Sequence, residues 1–142
     1  MAMGQETFSS PSAYQVPGAI AQYRAVKLAS DFPGELHVEY ATADGYDAIG
    51  VTQEERSTAD YTAGLTSTPV RHFAPGEIIW VTVAGEVTAL DYAVVTGTAG
   101  KFTLASENAT PADTYVYGQF LESATEDGDI IPLLVRPGYI KI

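Results

Sequence analysis

The chain has 142 residues, enough for a single domain to bury a core without crosslinks. It contains no cysteine, which excludes disulfides, thiolate metal sites and cysteine nucleophiles. The 18 acidic residues outnumber the 7 basic ones, which gives a net charge of −11, and the basic residues are scattered singly. Nucleic acid and anionic membranes attract clustered positive charge, so neither is expected as a partner.

The chain begins without the basic and apolar segments of a secretion signal. No apolar run approaches the roughly 18 residues that a membrane-spanning helix requires. The lack of cysteine is consistent with synthesis in a reducing compartment. We therefore expect a soluble protein that carries no targeting signal.

Residues 1–18 are predicted to form an extended N-terminal arm. They are rich in Gln, Ser and Pro and have neither a two-residue nor a 3.6-residue apolar period. Phe8, Tyr14 and Val16 are apolar enough to dock on another molecule. The two interpretations are an arm that becomes ordered on a partner and a frayed terminus.

Residues 19–90 are predicted to form the first of two β units. Apolar and polar side chains alternate over residues 23–29 and again over residues 35–40, as is typical of strands with one buried face. His37 falls on the polar face between two glutamates and is interpreted as a solvated side chain rather than a base or a ligand. Another strand is predicted around Ile49-Gly50-Val51, after an Asp-Gly turn.

Residues 52–73 are predicted to be an insertion in the first unit. They carry a crowded polar cluster made of Glu54, Glu55, Arg71 and His72. These residues have no metal-ligand spacing and include no nucleophile with a base. The segment is interpreted as a surface loop that contacts solvent or another subunit.

The strand predicted at residues 77–83 is the strongest in the sequence, and both of its faces are apolar. One face consists of Ile79, Val81 and Val83, and the other of Ile78, Trp80 and Thr82. One small domain can rarely cover both faces of such a strand, so another subunit is expected to cover one of them. Trp80 is interpreted as a core residue, with an anchor at a subunit interface as the alternative.

Residues 91–142 are predicted to form the second unit, because short sequences of the first unit recur there. Residues 47–51 match residues 115–119, and Ala25-Val26 matches Ala93-Val94, both at a spacing of 68 residues. Such self-similarity at a fixed spacing indicates a duplicated unit.

A third match has a different spacing. Residues 75–83 match residues 127–135 only 52 residues later, which is why residues 52–73 are interpreted as an insertion in the first copy. Pro132 takes the place of Trp80 in the second copy and cannot donate a ladder hydrogen bond, so an edge or bulged strand is predicted there.

The sequence as a whole predicts an all-β fold. No long amphipathic helix pattern occurs, and strands alternate with Gly, Pro and Asp about every ten residues. The acidic run at residues 126–129 is too tightly bunched for a calcium loop and is interpreted as a turn. We predict a single domain over residues 19–142, a small β-barrel or sandwich built from two duplicated units, with no metal or cofactor site.

Three segments of the first unit and their second copies carry a resemblance to a known family. The first set is Arg24-Ala25-Val26-Lys27-Leu28, Ile49-Gly50-Val51 and Gly76-Glu77-Ile78-Ile79. The second set is Ala93-Val94-Val95, Tyr117-Gly118-Gln119 and Gly128-Asp129-Ile130-Ile131. With this doubled arrangement, residues 19–135 resemble the head decoration, or capsid cement, proteins of tailed bacteriophages.

The resemblance implies a non-enzymatic β-barrel protein that forms a homotrimer. It would bind the major capsid protein on the outside of an assembled capsid, at three-fold and local three-fold positions, and stabilise the capsid against internal pressure. The protein would be made in the host cytoplasm and end on the exterior of the virion. The candidates for capsid contact are Phe8, Tyr14, Val16, Glu54 and Arg71, and those for the trimer interface are Ile78, Trp80 and Tyr117.

Two other classes of function are considered. With nine tyrosines, the chain is also compatible with a carbohydrate-binding or fibre-tip module that uses exposed aromatic rings as sugar platforms. A hydrolase would need a nucleophile and an acid-base pair, but the sequence has no cysteine, no G-x-S-x-G turn and no acid paired with histidine. An enzyme is therefore not expected.

Overall fold

The structure, a computed structural model, describes residues 12–29, 36–42, 47–96, 98–107 and 114–140. These residues form two five-stranded antiparallel sheets, which confirms the predicted all-β class. The architecture is a sandwich rather than a closed barrel. Within the described part of the chain, no helix is long and apolar enough to cross a membrane.

The first sheet lies in the N-terminal half of the chain. Its strands are β1 (Ser12–Gln15), β2 (Ala25–Leu28), β3 (Val38–Tyr40), β4 (Ala48–Thr52) and β5 (Ser67–His72), in the spatial order β1-β5-β4-β2-β3. A short helix, α1 (Thr58–Thr62), lies between β4 and β5. It begins with a capping box, in which the Asp60 amide donates to the Ser57 hydroxyl and the Ser57 amide donates to the Asp60 carboxylate. The hydrogen bond from the Ser57 amide lowers the pKa of the Asp60 carboxyl.

The second sheet lies in the C-terminal half. Its strands are β6 (Ile78–Thr82), β7 (Tyr92–Val95), β8 (Phe102–Leu104), β9 (Thr114–Phe120) and β10 (Ile130–Ile140), in the order β6-β10-β9-β7-β8. A single 3-10 turn (Ala105–Glu107) follows β8. The long strand β10 has a bulge between Val135 and Gly138, as one of the two predicted alternatives had it. Pro132 nevertheless lies in a central strand, because β10 has β6 on one side and β9 on the other.

Both sheets follow one plan. Strands β7 to β10 take the same places as β2 to β5, and β1 and β6 are the matching edge strands. Gly50 in β4 and Gly118 in β9 occupy equivalent positions, since a Cβ atom on either would collide with the backbone carbonyl of the neighbouring strand, at Arg71 or Leu134. The spacing of 68 residues found in the sequence thus relates β4 to β9.

The match at a spacing of 52 residues has another origin. Strands β6 and β10 are hydrogen-bonded neighbours, with Trp80 opposite Pro132, so they are partners in one sheet rather than copies in two. The counterpart of β10 is β5, which lies in the segment predicted to be an insertion, and β6 belongs to the second sheet rather than to the first unit. The two sequences look alike because each strand follows a turn whose glycine has a left-handed backbone, Gly76 at φ 87° and Gly128 at φ 95°.

The predicted arm is in part a strand. β1 pairs with β5, and Tyr14 and Val16 are buried in the core of the first sheet instead of being available to a partner. A four-residue strand at a sheet edge is too short to give a readable alternation in the sequence. The remaining part of the arm, including Phe8, lies outside the described residues.

The core consists mainly of two buried clusters. The first lies on one face of the first sheet, where Tyr61 of α1 packs against it, and comprises Tyr14, Val16, Ile20, Val26, Val38 and Val70. The second lies on the inner face of the second sheet and also contains Ala25 and Val51 of the first sheet. Because one cluster draws on both sheets, it joins the two halves of the molecule.

Aromatic packing fixes this junction. The Phe73 ring, directly after β5, lies 4.7 Å from the Tyr117 ring and 6.3 Å from the Phe102 ring, measured between centroids. Tyr117 is fully buried, and its burial raises the pKa of the phenol. Its hydroxyl accepts a hydrogen bond from the Ala48 amide at 3.3 Å. Tyr117, predicted for a trimer interface, therefore holds the two sheets together.

Gly118→Ala and Gly50→Ala should each lower the free energy of unfolding by about 1–3 kcal/mol or more, because the new methyl group would displace a backbone carbonyl. Gly138→Ala is the matched control, since nothing lies near the position of its Cβ. Urea unfolding of the three variants measures the effect. Equal stability of Gly118→Ala and Gly138→Ala would contradict the close strand approach.

Val16→Ala should cost roughly 2 kcal/mol, the scale of two buried methyl groups together with the cavity left behind. Removal of residues 1–17 should cost more, because it deletes β1 and exposes its partner β5. Thermal unfolding of both variants beside the full chain tests this. An unchanged melting temperature in both would mean that this segment does not pack in solution.

Candidate functional site

The outer face of β6 and β10 is an apolar surface of the second sheet with three exposed large side chains. Ile79 and Val81 point inward and are buried, whereas Ile78 and Trp80 between them are 55% and 50% exposed. On β10, Ile130 is 46% exposed. The register sets these residues side by side with Pro132 opposite Trp80 and Leu134 opposite Ile78. We call this surface, formed by Ile78, Trp80, Ile130, Pro132 and Leu134, the apolar face.

The apolar face ends at the edge strand β6, whose outer edge is partly covered, because the Thr82 amide donates to the Tyr23 carbonyl of the first unit at 3.0 Å. Among the described strands, β6 pairs with β10 alone. The Val135 amide donates to the Glu77 carbonyl at 2.8 Å, and the Val83 amide donates to the Asp129 carbonyl at 2.9 Å, so the odd-numbered residues of β6 bond to β10. The backbone groups of Ile78 and Trp80 are therefore directed away from β10, toward the outer edge. Backbone groups at the edge of a sheet are a common site of protein association.

The neighbouring part of the outer surface is divided between covered and exposed residues. Val94, Ala105 and Val116 form a small buried cluster beside the 3-10 turn. Tyr92 and Leu90, in contrast, are exposed, Leu90 to 68%. The apolar face thus continues toward the start of β7.

Leu90 has an unusual backbone. Its φ is 74°, a left-handed conformation that costs a residue with a Cβ atom roughly 1–2 kcal/mol. Two hydrogen bonds hold it there, since the Leu90 amide donates to the Phe120 carbonyl at 2.7 Å and its carbonyl accepts from Gln119 Nε2 at 3.0 Å. A strained residue with an exposed apolar side chain is more typical of a functional surface than of a purely structural turn.

The apolar face carries no charge at its centre. Its five residues are all apolar, and the outward residue next to them on β9 is Gln119. Two arginines near its margin are paired or hydrogen-bonded: Arg71 with Glu77 at 3.4 Å, and Arg136 with Gln119 at 3.3 Å. In a chain of net charge −11, the five residues of this surface are uncharged.

Two depressions flank the sheets. One, of about 590 Å³, continues the apolar face and is lined by Pro75, Gly76, Leu134 and Pro137. The other, of about 420 Å³, lies where the two sheets meet. It is lined by Leu28, Leu36, Ile49, Phe73 and Tyr115. Tyr14 and His72 also line it, and the Tyr14 hydroxyl is hydrogen-bonded to His72 Nε2 at 2.7 Å. No described group of three or more His, Asp or Glu side chains could hold a metal ion.

The structure separates the residues proposed from sequence. Ile78 and Trp80 lie together on the apolar face, whereas Tyr117, Tyr14 and Val16 are buried. Glu54 is exposed and forms an ion pair with Arg56 at 2.9 Å. Arg71 is half-buried in its pair with Glu77, so it does not lie in an exposed loop.

Sequence reasoning missed β10 as part of this surface. Ile130, Pro132 and Leu134 alternate with the buried Ile131 and Leu133, so β10 has the same two apolar faces as β6. The signal was present in the sequence, but Pro132 was interpreted as a mark of an edge strand. Leu90 and Tyr92 gave no such signal, because their exposure depends on how the chain enters β7.

Comparison with known proteins identifies a similar fold. No model of a known protein family matches the sequence, and no curated protein matches it. Among solved structures, the crystal structure of the head fiber gp8.5 N base in bacteriophage phi29 is similar, with a TM-score of 0.59 and 16% sequence identity. The similarity covers 93% of this chain and 98% of that chain, so the two share their whole fold.

Leu90→Gly should leave the free energy of unfolding unchanged or raise it by up to about 1 kcal/mol, because glycine relieves the left-handed strain and little buried contact is lost. The matched variant is Tyr23→Gly. Tyr23 is also left-handed, at φ 58°, but it packs against the core and should lose stability. Denaturant unfolding at sub-micromolar concentration measures both. A marked loss of stability in Leu90→Gly would mean that Leu90 is a structural residue.

Proposed function

We propose that this protein is a structural component of a bacteriophage head that binds the outside of the capsid as a homotrimer and stabilises it. The observation that carries the proposal is the fold shared with a phage head fiber base over nearly the whole of both chains. The resemblance of the doubled sequence pattern to head decoration proteins points to the same part of the virion. The partner would be the major capsid protein.

The function needs no reactive group. A capsid-binding protein requires a rigid body and several modest contacts, which add up when linked subunits bind neighbouring capsid proteins at high effective concentration. The two sheets, joined by a shared core, supply the rigid body. A non-enzymatic role is therefore part of the proposal.

A multimeric state is supported by the apolar face. Exposed apolar surfaces that lie next to one another on adjacent strands are uncommon on soluble monomers and typical of interaction surfaces. Trp80, half exposed on this surface, is the residue type most enriched among interface anchors. A trimer would also match the three-fold positions of a capsid lattice.

A carbohydrate-binding or fibre-tip module is the alternative. The observation that favours it is the exposure of Trp80, Tyr92 and Tyr139, whose rings could stack on sugar faces. Trp80 and Tyr92 lie on the same side of the second sheet. In this alternative, the protein would bind glycans rather than capsids.

Co-sedimentation with empty heads of the phage that encodes the chain tests the proposed function. We expect saturable binding to assembled heads and a higher temperature of head disruption, with no binding to unassembled capsid protein. The same protein is applied to immobilised glycans as the second arm. Failure to sediment with heads, or glycan binding in its place, would contradict the proposal.

Glu54→Gln gives a finer test, because Glu54 is an exposed candidate for capsid contact. Head occupancy at limiting protein concentration should fall several-fold, since a small loss per contact is multiplied over the linked subunits. Glu86→Gln is the matched control, an exposed glutamate that is not a candidate. If both variants bound equally well, capsid contact at Glu54 would be refuted.

A further inference from the structure

We propose that copies of this chain pack against each other through the apolar face, with Trp80 on its edge strand and Leu90 at the opposite margin. The inference deepens the proposed multimeric role by naming the surface and the residues that form it. It rests on a relation between the two sheets that the sequence alone does not reveal. That relation is the equivalence of residues in the two sheets, which the strand register gives.

The register identifies equivalent residues in the two sheets. Val26 in β2 lies opposite Gly50 in β4, and Ala93 in β7 lies opposite Gly118 in β9. Since the two glycines are equivalent, Val26 corresponds to Ala93, so the sequence match of Ala25-Val26 with Ala93-Val94 is displaced by one residue from the register of the strands. Ala25, just before Val26, is then equivalent to Tyr92, just before Ala93. In the same way Val51, just after Gly50, is equivalent to Gln119, just after Gly118.

The entry into β2 and β7 extends the relation. Tyr23 and Leu90 both have a left-handed backbone, with φ 58° and 74°. Their amides donate to equivalent carbonyls, Tyr23 to Thr52 at 2.8 Å and Leu90 to Phe120 at 2.7 Å. Tyr23 and Leu90 therefore hold the same place in the two units.

In the first sheet this surface is already a packing interface. Ala25 and Val51 are completely buried in the cluster shared with the second sheet, and Tyr23 packs against that cluster. The Ala25 amide donates to the Gly100 carbonyl at 2.8 Å, and the Thr82 amide donates to the Tyr23 carbonyl at 3.0 Å. The first unit thus docks on the second through this face.

In the second sheet the equivalent surface has no partner among the described residues. Leu90 and Tyr92 are exposed, and Gln119 is half-buried. The apolar face lies beside them on β6 and β10. The fold therefore repeats a surface that serves for sheet packing and leaves its second copy free.

Charge points to another copy of the chain as the occupant. Two molecules of net charge −11 repel each other, and like charges brought together at an interface cost affinity. On a symmetry axis each residue meets its own copy, so a charge there would face a like charge. The five residues of the apolar face carry no such charge, and none of them would select a basic or acidic partner of another kind.

Trp80 is the single tryptophan of the chain, so its fluorescence reports directly on the apolar face. The experiment compares sedimentation mass and acrylamide quenching of the full-length protein from nanomolar to tens of micromolar concentration. We expect the mass to rise with concentration, while quenching falls and the emission shifts to shorter wavelength over the same range. A monomer at every concentration, or association that leaves Trp80 equally quenchable, would overturn the inference.

Ile130→Lys tests the surface while Trp80 stays in place as the reporter. A lysine there would be buried without a counter-ion on association, so self-association should weaken at least ~100-fold. Leu65→Lys is the matched control, because Leu65 is 53% exposed but lies after α1 beside the first sheet. Circular dichroism verifies that both variants fold. Unchanged association of Ile130→Lys would overturn the inference.

The result can be distinguished from that of the capsid experiment. If the protein associates through the apolar face but does not sediment with heads, the inference stands and the proposed function fails. If it sediments with heads but Trp80 remains quenchable in the associated state, the function stands and the inference fails.

Discussion

The packing of Phe73 between Tyr117 and Phe102 is the contact on which the rest of the structure depends. It closes the cluster that draws Ala25 and Val51 of the first sheet into the inner face of the second. Because the two sheets follow one plan, this contact uses one surface of the first unit and leaves the equivalent surface of the second unit exposed. Two similar halves therefore differ in what they offer to other molecules.

The burial of Tyr117 has a further consequence. A phenol enclosed by other aromatic rings favours its neutral form, so its pKa is raised and it stays uncharged at physiological pH. The hydroxyl instead accepts the Ala48 amide, which ties the start of β4 to β9. The junction thus combines buried aromatic packing with hydrogen bonds between the two sheets, such as those of Tyr117 with Ala48 and of Ala25 with Gly100.

Much of the fold could be predicted from the sequence, and the failures have physical reasons. Alternation around Val38 predicted β3, and the run of Ile and Val with two apolar faces predicted β6, which together with the turn residues indicated the all-β class. The match of residues 47–51 with 115–119 found β4 and β9, since both must carry a glycine where a neighbouring carbonyl approaches closely. The match around Gly76 and Gly128 was wrongly interpreted as a duplication. β6 and β10 are hydrogen-bonded partners, and their sequences look alike because both strands follow the same kind of turn.

The candidate site was predicted only in part. Ile78 and Trp80 were found from the two apolar faces of their strand, and the structure leaves one face exposed. Tyr14, Val16 and Tyr117 were chosen for their apolar character, which does not distinguish an interface from a core. Leu90 could not have been found, because its left-handed backbone, shared with Tyr23, and its exposure depend on how the chain enters β7.

A cryo-electron microscopy reconstruction of phage heads carrying the protein tests the central claim most directly. The account predicts density for the second sheets of neighbouring copies in contact, with the Trp80 side chains enclosed between them on the capsid exterior. Isolated copies on the head surface with Trp80 facing solvent, or heads without this protein, would contradict it.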